Sequence, residues 1–255
     1  MRTIRLNLEY DGTDFQGWQK QPGLRTVQGT LEAAIQTVCR HPADTVGCAR
    51  TDAGVHALGY VASFQTASDI AASRLALSLN GCLPEDIAVQ RALDAPADFH
   101  ARFSARSRRY VYRISETPTA VWRRFVLHSH HALDVDRMAG AAAHLFGEHD
   151  FSSFTPVTND ANKICRVLDL AVGRDGAHIV IEVEATRFVH HMVRAIAGTL
   201  MEAGRGRMEP EQVGEVLRKK DRRLAGPTAP AHGLTLLRVR YDAEPARELP
   251  GSAKP

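Results

Sequence analysis

The sequence predicts an α+β fold: two ferredoxin-like (βαββαβ) halves joined into an extended mixed or antiparallel sheet with a central catalytic cleft. Three observations predict it. Short apolar runs of period two mark strands, longer runs of period near 3.6 mark helices, and the order β-α-β-β-α-β occurs twice. The 255 residues suit two halves, since domains of about 100–150 residues are typical. The halves fall at residues 1–105 and 106–242, followed by a short, polar, loose tail at 243–255. No residue-level repeat accompanies the pattern.

In the first half, Ile4, Leu6, Leu8 and Tyr10 line one face of a strand. A polar, glycine-rich loop from Asp11 to Arg25 follows, carrying Phe15, Trp18 and Gln19. Thr26 suits an N-cap, and Val27, Leu31, Ala34, Ile35 and Val38 make a helical stripe that Pro42 stops. Thr45 to Ala49 and Ala57 to Gln65 read as strands, with a loop holding Asp52 between them. Asp69 to Leu79 reads as a helix closed by Asn80-Gly81, and Ile87 to Leu93 as the fourth strand.

In the second half, Tyr110 to Ser115 alternates as a strand, with Val126 to His131 extending or partnering it. Asp136 to Phe146 is a helix that Gly147 ends. Ile164 to Val172 and His178 to Ala185 form a hairpin across Arg174-Asp175-Gly176. Phe188 to Ala203 is a long helix, Glu209 to Lys219 an extra one, and Leu234 to Tyr241 the last strand.

Composition excludes several classes. At 44% hydrophobic and 24% charged residues the chain is ordinary globular protein. No apolar run approaches the roughly 20 residues of a membrane span, and MRTIRLNLEY has no apolar leader segment. Cys39, Cys48, Cys82 and Cys165 form no C-x-x-C pair, which fits a reducing cytoplasm and neither a zinc ribbon nor a redox motif. The net charge of +3 is compatible with a nucleic-acid partner without demanding one. Its basic residues are nearly all arginine, which suits bidentate phosphate recognition and base stacking.

The run Arg50-Thr51-Asp52-Ala53-Gly54-Val55-His56-Ala57 is the densest chemical signal. An arginine two residues from a carboxylate holds it ionised, and the small-residue turn lets a substrate approach the backbone. That suits an aspartate nucleophile or base. Taken alone, the same run also suits a plain turn with a salt bridge. A second basic segment contains Arg102, Arg106, Arg108, Arg109 and Arg113, interleaved with Tyr110 and Tyr112 and followed by Arg123 and Arg124. Arginines for phosphates and aromatics for bases fit RNA binding, and they equally fit a charged strand edge. On a helix from Phe188, Arg187, His191 and Arg194 share one face, so an arginine there could reach Asp52 or a phosphate. His190 and His191 suit packing better than zinc, because ligand spacing with Cys or carboxylate is lacking.

Other chemistries fit less well. Asp11-Gly12-Thr13-Asp14 lacks the register of a calcium loop. Neither a P-loop nor a dinucleotide glycine motif occurs. An aspartic protease needs two matching carboxylate turns, and Asp11-Gly12-Thr13 is not in the matching order. A non-catalytic RNA-binding protein using the sheet as a platform remains the alternative to an enzyme.

Taken together, YDGTDFQGWQ, RTVQG (Arg25 to Gly29), RTDAGVHA, RRYVYRI, FVHHMVR and AGPTAPAHGL, in this order and spacing, resemble the tRNA pseudouridine synthase A family over almost the whole chain. The resemblance implies an enzyme that isomerises uridine to pseudouridine at positions 38–40 of the tRNA anticodon stem-loop, by base flipping, without cofactor or metal. It implies Asp52 as the nucleophile and Arg194 as its partner. Tyr110 would stack on the target base and help remove the C5 proton. Arg50 would belong to the same pocket, and Leu234 would pack near the uracil. Arg106, Arg108, Arg109, Arg123 and Arg124 are the candidates for the tRNA backbone. The resemblance further implies a cytoplasmic homodimer in which one tRNA contacts both subunits.

Overall fold

In the computed structural model, which describes residues 1–156 and 162–242, Ile4, Leu6, Leu8 and Tyr10 are all buried along β1 (Arg2–Tyr10). The period-two pattern of the sequence is therefore the inward face of a real strand. The remaining first-half elements are α1 (Val27–Cys39), β2 (Val46–Gly47), β3 (His56–Thr66), α2 (Ala72–Asn80) and β4 (Ile87–Ala95). Then follow β5 (Ser107–Ser115), β6 (Leu127–His128), α3 (Val135–Ala143), β7 (Gly147–Asp150), β8 (Ile164–Asp175) and β9 (His178–Ala185). The order closes with α4 (Met192–Gly204), α5 (Pro210–Lys219) and β10 (Leu234–Arg240). The tail at 243–255 lies outside the described residues.

The fold is α+β with one large mixed sheet. The strands run β4-β1-β3-β10-β5-β9-β8-β7, with β2 paired to β3 and β6 to β5. The β3–β10 pair is parallel and short, Thr235 opposite His56 and Leu236 opposite Ala57. Antiparallel pairing then sets Tyr110 of β5 against Leu236 and Tyr112 against Leu234. This junction decides where the site lies. The start of β3, the start of β10 and the middle of β5 meet at one place in the sheet. No helix among the described residues is long and apolar enough to cross a membrane.

Several boundaries differ from the sequence expectation. Helix α2 starts at Ala72 rather than Asp69. Thr66 and Ser68 accept from the backbone N–H groups of Ser68 and Ile70, which holds that stretch in local turns. The strand expected over residues 45–49 shrinks to Val46–Gly47. Helix α3 begins behind an Asp134 N-cap and stops at Ala143, not Phe146. Gly147, at φ 100, opens β7 instead of ending the helix. Strand β8 continues to Asp175, so the hairpin turns through Gly176-Ala177. The Thr26 N-cap is as expected, its hydroxyl accepting from the Gly29 N–H.

Candidate active site

The Asp52 loop joins β2 to β3 and rests on the loop between β1 and α1. Tyr10 Oη and Thr51 Oγ1 lie 2.8 Å apart, the Trp18 N–H donates to the Thr51 carbonyl, and the Gly54 N–H donates to the Phe15 carbonyl. Phe15 and Trp18 are buried beneath it, with Trp18 stacked on Tyr60 at 4.3 Å. The loop from Asp11 to Arg25 is thus a buttress, which explains its two large apolar residues. Gly54 at φ 78 and Gly17 at φ 81 both lie in the left-handed region. A Cβ on Gly17 would stand 2.6 Å from the Thr51 carbonyl oxygen, so the buttress cannot approach with a larger residue there.

Arg194, on the first turn of α4, reaches this loop. Its Nη1 donates to Asp52 Oδ2 at 2.9 Å and its Nε to the Ala229 carbonyl at 2.8 Å. The Ala229 N–H returns a bond to the Arg194 carbonyl. The proline-broken run AGPTAPAHGL therefore clamps the guanidinium that faces Asp52. Both side chains are mostly buried, 19% exposed for Asp52 and 16% for Arg194, where an ion pair is screened little.

The two histidines also meet the carboxylate, which sequence spacing did not anticipate. His191 Nε2 lies 3.3 Å from Asp52 Oδ2 and His190 Nε2 lies 3.6 Å from Oδ1. The helix expected from Phe188 begins only at Met192, because His191 sits at φ 61. Arg187, His191 and Arg194 are therefore not on one helical face. The left-handed turn brings His191 round to Asp52 instead. Burial holds the His191 imidazole below the usual histidine range, against the opposing pull of Asp52. The donor atoms of Asp52, His190 and His191 lie within 4.8 Å of one another, close enough for a metal ion. The Arg194 guanidinium already on Oδ2 opposes a second cation there.

A cavity of about 660 Å³ brings together Arg50, Asp52, Arg108, Tyr110, Arg194 and Leu234. Tyr110 is buried and meets Phe188 edge-on at 5.1 Å. Burial raises its hydroxyl well above the ordinary tyrosine range, with the Asp52 charge adding to the effect, so it stays a phenol. Cys48 lines the same cavity, and burial pushes its thiol up to about 12. A thiol so buried stays protonated at neutral pH.

Four of the arginines expected at the tRNA backbone lie away from this cavity. Arg109 points its guanidinium into Asp169, Glu182 and Glu184. Arg106 forks onto Asp242. Arg123 is exposed and donates to the Ala120 carbonyl, and Arg124 stands 3.8 Å from Asp11 and Asp14. Adjacent strand residues face opposite sides, so Arg108 reaches the cavity and Arg109 cannot. Arg108 donates to the carbonyls of Cys48, Arg102 and Thr186, tying the walls together.

The buried histidines set a pH dependence. His56, His191 and His232 are each held below the usual range by burial. A histidine with a depressed folded pKa binds fewer protons folded than unfolded. Its contribution to stability is therefore lost as pH falls below the unfolded value of about 6.5. Thermal unfolding is expected at a lower temperature near pH 5.5 than near pH 7.5. A transition independent of pH over that window counts against neutral buried imidazoles.

Comparison with known proteins places the chain in a family. The profile described as tRNA pseudouridine synthase matches residues 8–104 and 141–242. A protein of Acetivibrio thermocellus named tRNA pseudouridine synthase A is 41% identical over 244 residues, covering 94% of this chain and 100% of its own length. A protein of the same name from Chloroflexus aurantiacus is 46% identical over 269 residues, covering 100% of this chain and 96% of its own length. Among solved structures, the archaeal box H/ACA sRNP Nop10–Cbf5 complex matches with a TM-score of 0.36 and 11% identity. That match covers 92% of this chain and 47% of the other, a likeness too distant to bear on fold or partners.

Proposed function

The chain belongs to the tRNA pseudouridine synthase family, and from that premise we propose that it isomerises uridine at positions 38–40 of the tRNA anticodon stem-loop, with Asp52 as nucleophile. The single observation that carries the assignment of the site is the Asp52–Arg194 pair at 2.9 Å inside a cavity with Tyr110. Isomerisation breaks the N1–C1′ bond, turns the uracil and joins C5 to C1′; the C5 proton leaves and N1, freed from the ribose, takes one up. The atoms balance without a co-reactant. An ionised carboxylate held by Arg194 and flanked by two imidazoles can add to uracil C6, attack C1′, or take a ribose proton.

A mostly buried carboxylate is out of reach of a stacked base, so the target uridine is extruded. Extrusion costs a few kcal/mol, least in loops and weakly paired stems, which favours an anticodon stem-loop. The extruded uracil lies on Tyr110 with Leu234 beside it. Arg50 at the cavity meets phosphate, giving salt-dependent binding, while Arg108, whose guanidinium is held by the carbonyls of Cys48, Arg102 and Thr186, adds its charge there without turning to the RNA. Arg106, Arg109, Arg123 and Arg124 take a lesser part, since Arg106 and Arg109 are held by carboxylates and all four lie away from the cavity.

The Tyr110 hydroxyl, at the cavity with Asp52, helps to remove the C5 proton. Tyr110→Phe is expected to keep tRNA affinity and to slow product formation by roughly 10- to 100-fold. Full rate in a single-turnover assay reduces the residue to a platform.

The strand orders β4-β1-β3-β2 and β10-β5-β9-β8 support reading two ferredoxin-like halves, at residues 1–105 and 106–242. We also take the protein to be a cytoplasmic homodimer. Free cysteines, three of them buried, suit a reducing compartment. The test of the function is to map pseudouridine in bulk tRNA after incubation with the protein. Pseudouridine at positions 38–40 is the expected result, and unmodified tRNA at those positions overturns the reading.

A further inference from the structure

We infer that Phe103 is a second stacking platform, holding the base next to the extruded uridine at the mouth of the cavity. This rests on the reading of the cavity as a uridine site. Phe103 lies in the connection between β4 and β5 and lines the rim of the cavity that holds Asp52. It is 77% exposed. A single exposed apolar residue is common and argues nothing alone. Here the exposure is built in.

The backbone around it is tied down at nearly every residue. The Ala101 N–H donates to Ser63 Oγ, and the Ala101 carbonyl accepts from Tyr241 Oη at 2.6 Å. The N–H groups of Arg102 and Phe103 both donate to His100 Nδ1 at 3.2 Å. His100 and Ser104 exchange two further bonds, and Arg108 Nη2 donates to the Arg102 carbonyl at 2.6 Å. A turn so held does not relax to bury its phenylalanine. The ring is stacked on the His100 imidazole at 4.3 Å and 26°, and the Arg102 guanidinium carbon lies 5.6 Å from its centroid.

An oriented aromatic ring beside an exposed cation is the arrangement that receives an unpaired nucleobase and its phosphate. The cavity has its inner aromatic, Tyr110, buried, and its outer one, Phe103, in solvent. Two platforms at two depths suit two successive nucleotides. The inner takes the reacting uridine and the outer a flanking base that keeps a stacking partner after its neighbour has left.

The test uses anticodon stem-loop RNA with 2-aminopurine placed on either side of the target uridine in turn. With the wild-type chain, fluorescence is quenched at one of the two positions. Phe103→Ala is expected to lose that quench and to raise Kd and KM about tenfold, with a smaller change in the single-turnover rate at saturation. Phe103→Trp restores all three, as a structural role that depended on the fit of the phenylalanine ring would not. Unchanged Kd, KM and quench in Phe103→Ala overturn the inference. So does a variant whose only change is its oligomeric state by light scattering, which assigns the ring to a protein contact. Pseudouridine formation by the wild-type chain on the same RNA is read separately. If that is missing, the uridine site itself is wrong; if it is normal and Phe103→Ala behaves as wild type, only the platform fails.

Discussion

Asp52→Asn is expected to abolish tritium release from C5-labelled uridine in tRNA, lowering turnover by roughly 10⁴-fold or more. The substitution keeps the size of the side chain and its contacts with the loop. Thr51 and Gly54 stay anchored to Tyr10 and Phe15 through groups the change does not touch. What disappears is the negative charge that Arg194 and the two imidazoles face. Binding of tRNA rests on arginines and aromatics and is expected to persist within a few-fold. Cys48, in the same cavity, is held as a thiol by burial. Turnover in the asparagine variant near the wild-type rate would sink the assignment, and loss of tRNA binding in parallel with turnover would recast Asp52 as a structural residue.

Arg194→Lys is the second large effect. The guanidinium makes two bonds at once, Nη1 to Asp52 and Nε to the Ala229 carbonyl. An ammonium is a single point of charge and cannot hold both in one plane. The lysine variant is expected to lose about 100-fold in kcat/KM, equivalent to ~2.7 kcal/mol of transition-state stabilisation. Arg194→Met is expected to fall further, because it leaves a mostly buried carboxylate without its cation. Steady-state kinetics on one tRNA decides the matter. A lysine variant with wild-type kcat/KM shows that only net charge matters at this position.

How much of this was legible in the sequence differs residue by residue. The first strand, the Thr26 cap and the Asp52 connection follow from local rules and are found as expected. The Asp52–Arg194 contact spans 142 residues and no local rule reaches that far. Helix spacing left it as one of two options for an arginine, Asp52 or a phosphate, and only the resemblance chose Arg194 as the partner of Asp52. The helical register of Arg187, His191 and Arg194 failed because one histidine in the left-handed region is invisible to periodicity. The same conformation hid the approach of both histidines to Asp52. Arg108 and Arg109 look alike in sequence, yet strand alternation sends one to the cavity and the other into three carboxylates. The role of Phe15 and Trp18 was open because a buried loop residue has no periodic signature.

Strand β10 is the last element of the described chain and a middle strand of the sheet, lying between β3 and β5. Its placement ties the order of synthesis to the acquisition of chemistry. A nascent chain on the ribosome carries Asp52 early, but has no seam to set it beside Tyr110 and Leu234 until the last strand has emerged. A first half that folds on leaving the exit tunnel has the Asp52 loop without the cavity walls that Tyr110, Arg194 and Leu234 supply. The cavity has both its walls only once β10 lies between β3 and β5.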